Sequence, residues 1–303
     1  GLTVNSAEGV DLASQFVFRV KEGSVLVVAF NKNRLSSVSP LAVSKIDPSN
    51  EETSFTVEGA RFSKWLSAVP DSNITLTVTE TAVTAIVDGL DAVMEFRSFE
   101  PVHYPYWDEE ISSSTELIKG DPRRFIGILN HLRAFARVDH DTTQSDLTIA
   151  EVQKGTFNAS DAESATMVDS PLFKDIALRI HASAFGPLVK FLSTFNEEDE
   201  LVISKAPHMT FYRRPDGAVF GESEFKISLR DVKVDKSKDP TFWWKVSKSE
   251  LLQGLKLLSV GADKTENRLT LERTGSSVRL SLPGPTGKNL TFGIKVQDSS
   301  PLT

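Results

Sequence analysis

The chain has 303 residues, 40% hydrophobic and 25% charged, a globular balance for which the length predicts two or three domains. It contains no cysteine, which excludes a disulfide framework, a thiolate nucleophile and a Cys-based zinc site, and fits a reducing, cytoplasmic setting. A formal net charge of -7 argues against nucleic-acid binding by bulk charge, so any such role must rest on a segregated basic surface.

The longest apolar runs, such as Val25–Phe30, are too short to cross a bilayer, and no signal peptide is read at the start. Alternation predicts a strand over Gln15–Val20, a turn at Gly23 and a returning strand over Ser24–Phe30. A polar loop, Asn31–Leu35, carries Lys32 and Arg34. A strand over Thr53–Val57 leads to a helix over Ala60–Val69, stopped by Pro70-Asp71. Its apolar side is Phe62, Trp65, Leu66 and Val69, and Arg61 and Lys64 are polar. Ile74–Val78, Val83–Val87 and Ala92–Phe96 read as three strands, and a Pro- and acid-marked connector runs from Pro101 to about Thr115.

The strongest helical signal spans Pro122–Val138. Phe125, Ile128, Leu129, Leu132 and Ala136 share one side; Arg123, Gly127, Asn130, Ala134 and Arg137 form the opposite stripe, flanked by Arg124, His131 and Arg133. This face has four arginines and no acid, a local inversion of sign in an acidic chain. Ile126 lies at its edge. Strands over Leu147–Val152 and Thr156–Ala159 follow, then Ala177–Ile180 and a helix over Ser183–Phe195 with Lys190 outward and Pro187 read in its first turn. Strands at Glu200–Ser204, Met209–Arg213 and Phe220–Ile227 precede a charged linker, Asp231 to Pro240. Ser247 and Glu250 form a capping-box pattern opening a helix over Lys248–Val260, with Lys256 on its polar side. Strands over Arg268–Arg273, Val278–Leu282 and Leu290–Val296 end the pass.

The recurrent unit is one helix plus a few antiparallel strands, which makes the fold class α+β. Paired units predict residues 1–108 as a first domain lacking its opening helix, 116–229 as a complete second, and 240–303 as half of a third. Each helix presents an apolar side to a sheet and a short basic side. The acids are expected elsewhere, at Asp108-Glu109-Glu110, Asp161, Glu163 and Glu197-Glu198-Asp199-Glu200.

With those residues in place, the chain resembles the bacterial and phage DNA sliding clamps, the processivity factors of replicative DNA polymerases. In that family a short helix ending in Leu-Pro is followed by three strands, a Phe-rich strand end and a Tyr-Pro motif. Here these are Phe62–Pro70, the three strands, Met94–Phe99 and Tyr104-Pro105. Asn158-Ala159-Ser160-Asp161-Ala162 stands where the family has an Ala-Thr-Asp-Gly turn, and Ala29-Phe30-Asn31 at the equivalent turn of the first domain. The chain departs from the pattern at Glu163-Ser164, where the family continues with His-Arg, and lacks the last strands and tail that help build the family's partner pocket.

The resemblance implies a DNA clamp fold, with helices on one face of curved sheets forming a head-to-tail homo-oligomeric ring, a dimer for chains of three domains. It implies no catalytic activity and no cofactor or metal. The implied partners are double-stranded DNA of any sequence, a DNA polymerase and a clamp loader. DNA-facing candidates are Arg123, Arg124, Asn130, Arg133 and Arg137, with Arg61, Lys64, Lys190, Lys248 and Lys256 on the other helices and Lys32 and Arg34 in the loop. Partner-peptide candidates are Ile149, Ala159, Ser160, Asp161, Ala162 and Ala165.

Asp139-His140-Asp141 has metal- or base-like composition, but consecutive residues point in different directions, which favours a solvated loop. A hydrolase using this stretch is one alternative. A non-catalytic β-rich structural or assembly protein, such as a phage component, is the other.

Overall fold

The computed structural model describes residues 14–21, 24–30, 35–43, 45–46, 53–90, 92–99, 101, 106–136, 149–160, 165–224, 244–261, 268–284 and 288–299. The chain divides into two compact units, Gly1–Val234 and Asp235–Thr303.

The first unit opens with β1 (Gln15–Lys21), β2 (Ser24–Phe30), β3 (Leu35–Leu41) and β4 (Thr53–Glu58), then α1 (Gly59–Ala68) and β5 (Ile74–Val78), β6 (Ala82–Val87) and β7 (Val93–Arg97). α2 (Asp108–Ser113) and β8 (Thr115–Gly120) lead to α3 (Pro122–Arg133). Next come β9 (Ile149–Gln153), β10 (Thr156–Ser160), β11 (Ala165–Asp169), a 3-10 turn at Pro171–Phe173 and β12 (Leu178–His181). α4 (Ala182–Leu192), β13 (Leu201–Lys205), β14 (Met209–Arg213) and β15 (Val219–Ser223) are the last described elements of the unit.

Its organising feature is one eight-stranded sheet, ordered β4-β1-β2-β3-β15-β14-β13-β8. The two halves meet where β3 pairs antiparallel with β15, through Val38↔Val219, Ser37↔Phe220, Ser36↔Gly221 and Leu35↔Glu222. The register assigns faces, because successive strand residues point to opposite sides. Phe18, Val27, Tyr212 and Phe220 share one face; Val17, Arg19, Val28, Val38, Arg213 and Val219 share the other.

On the first face, α1 contributes Phe62 and Trp65 to a core with Phe18, Phe55, Val57 and Phe96. Farther along, α3 and α4 contribute Phe125, Leu129, Leu132, Phe185 and Leu188 to a core with Ile203, Tyr212 and Phe220. The three helices therefore form a layer on one side of the sheet. On the opposite face, Tyr106, Trp107 and Ile111 pack against Val17, Val28, Val38, Met209, Phe211 and Val219.

Several elements differ from the sequence reading. β3, LSSVSPL, is a strand despite three serines and a proline. Pro40 pairs with Leu26 of β2, but β15 reaches only from Leu35 to Val38, so the missing N–H falls where no second neighbour needs it. The connector contains α2, and β8 follows where it ends; the apolar residues of both are too sparse to declare a period. β11 and β16 were likewise not anticipated. α3 ends at Arg133 rather than Val138, because the Phe135 and Ala136 amides both turn back to the Leu132 carbonyl. α4 starts at Ala182, so Pro187 lies inside the helix and not in its first turn.

The described residues of the second unit form β16 (Trp244–Val246), α5 (Lys248–Gly261), β17 (Thr270–Thr274), β18 (Ser277–Pro283) and β19 (Asn289–Ser299), with the sheet ordered β16-β19-β18-β17. Leu258 of α5 packs on Val278, Leu280 and Ile294. Gly254 lets the helix sit close: a Cβ there would lie 2.4 Å from Phe292. The capping box is half made. The Glu250 amide meets Ser247 Oγ at 3.4 Å, but its carboxylate accepts instead from the Lys295 amide of β19.

Candidate nucleic-acid interface

α3 is set by its first residues. Asp121 caps it, accepting from the Arg123 amide at 2.9 Å, and Pro122 occupies a position where no amide proton is needed. The buried side is Phe125, Ile128, Leu129 and Leu132, which leaves Arg123, Arg124, Gly127, Asn130, His131 and Arg133 exposed together. Ile126, at the edge of the polar stripe, packs against the helix-layer core and so belongs to the apolar side. Arg123 and Arg124 lie at the positive end of the helix dipole, an arrangement that disfavours folding slightly and favours an anion near that end.

One anion is already supplied by the chain. Glu197, in the turn after α4, meets Arg123 at 3.1 Å, with both side chains largely exposed. The expectation that the acids keep away from the helix faces is therefore wrong at this point: the turn that closes α4 delivers Glu197 beside the first turn of α3. The loop is held by Arg214, which donates to Thr194 Oγ1 at 2.6 Å and to Asp216 Oδ1 at 2.8 Å. That pairing holds the Asp216 carboxyl below its usual range.

The other candidates fall on the same layer or in the second unit. Arg61 and Lys64 are exposed on α1, the Arg61 guanidinium 5.8 Å from the Phe96 ring centroid. Lys190 is exposed on α4. Arg61, Lys64, Lys190 and the α3 residues Arg123, Arg124, Asn130 and Arg133 thus lie on helices that cover one face of a single sheet. In the second unit, Lys248 and Lys256 are exposed on α5. Lys32, Arg34 and Arg137 lie outside the described residues.

The partner-peptide candidates gather around β9–β11. Ala165 opens β11, half-buried, directly opposite Ser160. Ile149 opens β9 opposite His181. Ala159 and Ser160 are each 1% exposed; both pair with β11, opposite Thr166 and Ala165, and Ala159 faces the helix-layer core. Asp161 and Ala162 lie outside the described residues, as does Asp139-His140-Asp141. A tie between the two regions is His131 Nε2, 2.8 Å from Thr166 Oγ1, which joins the exposed side of α3 to β11.

Two polar arrangements were not foreseen. Glu222 on β15 is 1% exposed; one carboxylate oxygen accepts from the His181 amide at 2.6 Å and the other has no hydrogen-bond partner among the described residues. Burial pushes its carboxyl up to about 8, partly opposed by that amide. The Tyr212 hydroxyl, on the same sheet face, is likewise buried without a partner among the described residues, and burial with the nearby Glu222 raises it well above its usual value. His181 Nδ1 lies 2.7 Å from Ser183 Oγ as part of the α4 cap, not in a nucleophile-base geometry aimed at a cleft. The second arrangement is a pair of arginines, Arg19 and Arg213, on the opposite face. A charged residue inside an apolar strand run, as in QFVFRV and AVFGES, is the signal that points to Arg19 and to Glu222. Among the described residues no group of three or more His, Cys, Asp or Glu side chains is placed to hold a metal ion, and no helix is long and apolar enough to cross a membrane.

No family profile and no curated protein matches the sequence. Solved structures do match. The DNA polymerase sliding clamp of Bacillus subtilis aligns with a TM-score of 0.79 at 13% identity, over 98% of this chain and 80% of its own. The DNA polymerase III beta subunit of Thermotoga maritima gives 0.74 at 15%, over 98% and 79%. That of Pseudomonas aeruginosa gives 0.75 at 11%, over 95% and 78%. The chain has the α+β fold of the bacterial DNA polymerase III beta sliding clamps, as the sequence resemblance implied.

Proposed function

We propose that the protein is a DNA sliding clamp, a ring of identical chains that encircles duplex DNA and tethers a replicative DNA polymerase, without catalytic activity of its own. The observation that carries this reading is the helix layer. Within a chain of formal net charge -7, three helices on one sheet face expose Arg61, Lys64, Arg123, Arg124, Arg133 and Lys190 together. Such side chains contact phosphates without reading bases, so the grip is independent of sequence and loose enough to slide. Tethering then acts by effective concentration, because a polymerase held on the ring rebinds the primer end before it diffuses away.

Residues 1–108, 116–229 and 240–303 are read as successive clamp domains. Ring closure extends a pattern already in the chain. β15 ends the three strands after α4 and pairs with β3 of the preceding half. β7 ends the three strands after α1, the same place in the first domain, and its Val93 is 61% exposed. A second copy pairing along β7 closes a head-to-tail ring, of two subunits when each supplies three domains. The peptide-docking region is assigned to Ile149, Asp161, Ala162 and Ala165, with the buried Ala159 and Ser160 on the same strand run. An ATP-driven loader and a cytoplasmic location complete the reading.

The decisive test is topological. Protein loaded on nicked circular DNA should be retained, and should be released when the circle is linearised. Retention on linear DNA, or failure to load with a competent loader, overturns the clamp. Replacing Arg123, Arg124 and Arg133 together by Ala should weaken DNA binding and lower the salt slope by about 0.9 for each phosphate no longer neutralised, with assembly unchanged. Unaltered affinity and slope would remove α3 from the DNA-facing set.

A further inference from the structure

The segment joining the two halves of the first unit is anchored in both of them. α2 and the residues before it lie on the sheet face opposite the helix layer, over the apolar cluster that β1–β3 share with β14 and β15. Trp107 meets Phe30 edge-on, ring centroids 6.3 Å apart. Beyond this contact, two arginines fix the segment at its ends.

Arg19, from β1 in the first half, is 8% exposed. Its Nη1 donates to Asp108 Oδ2 at 2.5 Å, and its guanidinium lies 4.1 Å from the Tyr106 ring centroid. Arg213, from β14 in the second half, donates through Nη2 to the Ile111 carbonyl and the Ser114 hydroxyl. Ser114 Oγ is in turn 3.1 Å from Ser204 Oγ on β13. Arg19 is buried and Arg213 half-buried in an apolar strand face, and a guanidinium so placed is costly unless its partners stay in place. Each arginine therefore favours the conformation in which the segment is seated. The β3–β15 seam beneath it has four paired positions, and two of them, Ser37↔Phe220 and Ser36↔Gly221, hold serine or glycine. Those two pairs add little cross-strand packing on the braced face, where the seam leans on Val38↔Val219 and on the Tyr106, Trp107 and Ile111 side chains packed over it.

We propose that residues 106–114 are a brace across the β3–β15 seam, with Arg19–Asp108 and Arg213–Ile111/Ser114 as its two fastenings. The brace keeps the eight strands in one register and makes the two halves of the first unit move as a single body. This holds whether or not the protein encircles DNA. Release of either fastening loosens the seam first and the helix cores last.

Hydrogen exchange read by mass spectrometry on the full chain tests this. Asp108 has a side chain 53% exposed, so Asp108→Ala removes a fastening without opening the core. Amides of Ser36–Val38 and Val219–Gly221 should exchange on the order of tenfold faster, while Leu129 and Leu132 in α3 stay unchanged. Ser114→Ala, which takes one acceptor from Arg213, should give the same pattern more weakly. Unchanged seam exchange in both variants overturns the brace. So does equal acceleration at the seam and in α3, because the fastenings would then support the whole unit and not the seam.

Discussion

Glu222 faces the same core as Tyr212 and Phe220, and its one described partner is the His181 amide. A carboxyl held at about 8 in the folded chain and near 4.5 when unfolded keeps a proton in the fold that the unfolded chain has already lost. The stability this group contributes is therefore complete below about pH 4.5 and is lost as pH rises towards 8. Glu222→Gln keeps the acceptor for His181 and removes the titration. The melting temperature of the variant should exceed that of the parent at pH 8, by on the order of 5 °C, and the gap should close towards pH 5. Thermal melts followed by circular dichroism across that range check it; a constant gap would mean Glu222 does not titrate in the fold. His181 works with the opposite sign. Burial lowers its pKa, so its contribution is lost as pH falls below 6.5, which is why the Glu222 comparison is made as a difference between two chains.

At the level of elements, α5 rests on β18 and β19 through Gly254. A side chain there would enter the space of Phe292 and Leu280. Gly254→Val should destabilise the second unit by about 1–3 kcal/mol, measured as a lower denaturation midpoint for the signals of Trp244 and its surroundings, with the first unit little affected. This element also illustrates what the sequence made legible. Of the four leucines read as the buried side of α5, Leu251, Leu255 and Leu258 meet the core, as Phe125, Leu129 and Leu132 do for α3, while Leu252 is 46% exposed. The strands with clean alternation, β1, β6 and β18, were equally plain. β3 was hidden because its pairing is decided by its two neighbours, not by its own serines and proline. Glu197 was hidden for a related reason: its meeting with Arg123 depends on where α4 ends, a three-dimensional fact that no spacing encodes. The basic stripe on α3 was readable; that α1 and α4 share its layer was implied by the resemblance, and strand register with the core contacts gives it for α1, α3 and α4. Ala159 and Ser160 were legible as neighbours on one strand, but their burial depends on β11 beside them and, for Ala159, on the helix-layer core it faces.

For the whole molecule, the clamp reading turns on an edge. Val93 of β7 points away from the Val83 and Ala85 core, and with Ile86 beside it forms an exposed apolar spot on the β5-β6-β7 sheet. Val93→Asp should leave the monomer folded and reduce self-association at least about tenfold, seen by sedimentation as a shift towards single chains. Unchanged association would place the subunit boundary on another edge. On the clamp reading, the proposed DNA contact of the α3 arginines and the proposed association through β7 should be separable, because one sits on the helix layer and the other on a different sheet.

The β3–β15 ladder has a mechanical consequence. An antiparallel ladder stretched along its strands spreads the load over all its hydrogen bonds at once, whereas one peeled sideways surrenders them one at a time. With four paired positions at the join, the first unit resists tension running along β3 far better than torque that lifts one half off the other. Optical-tweezer handles placed for those two directions would meet two different materials in the same sheet.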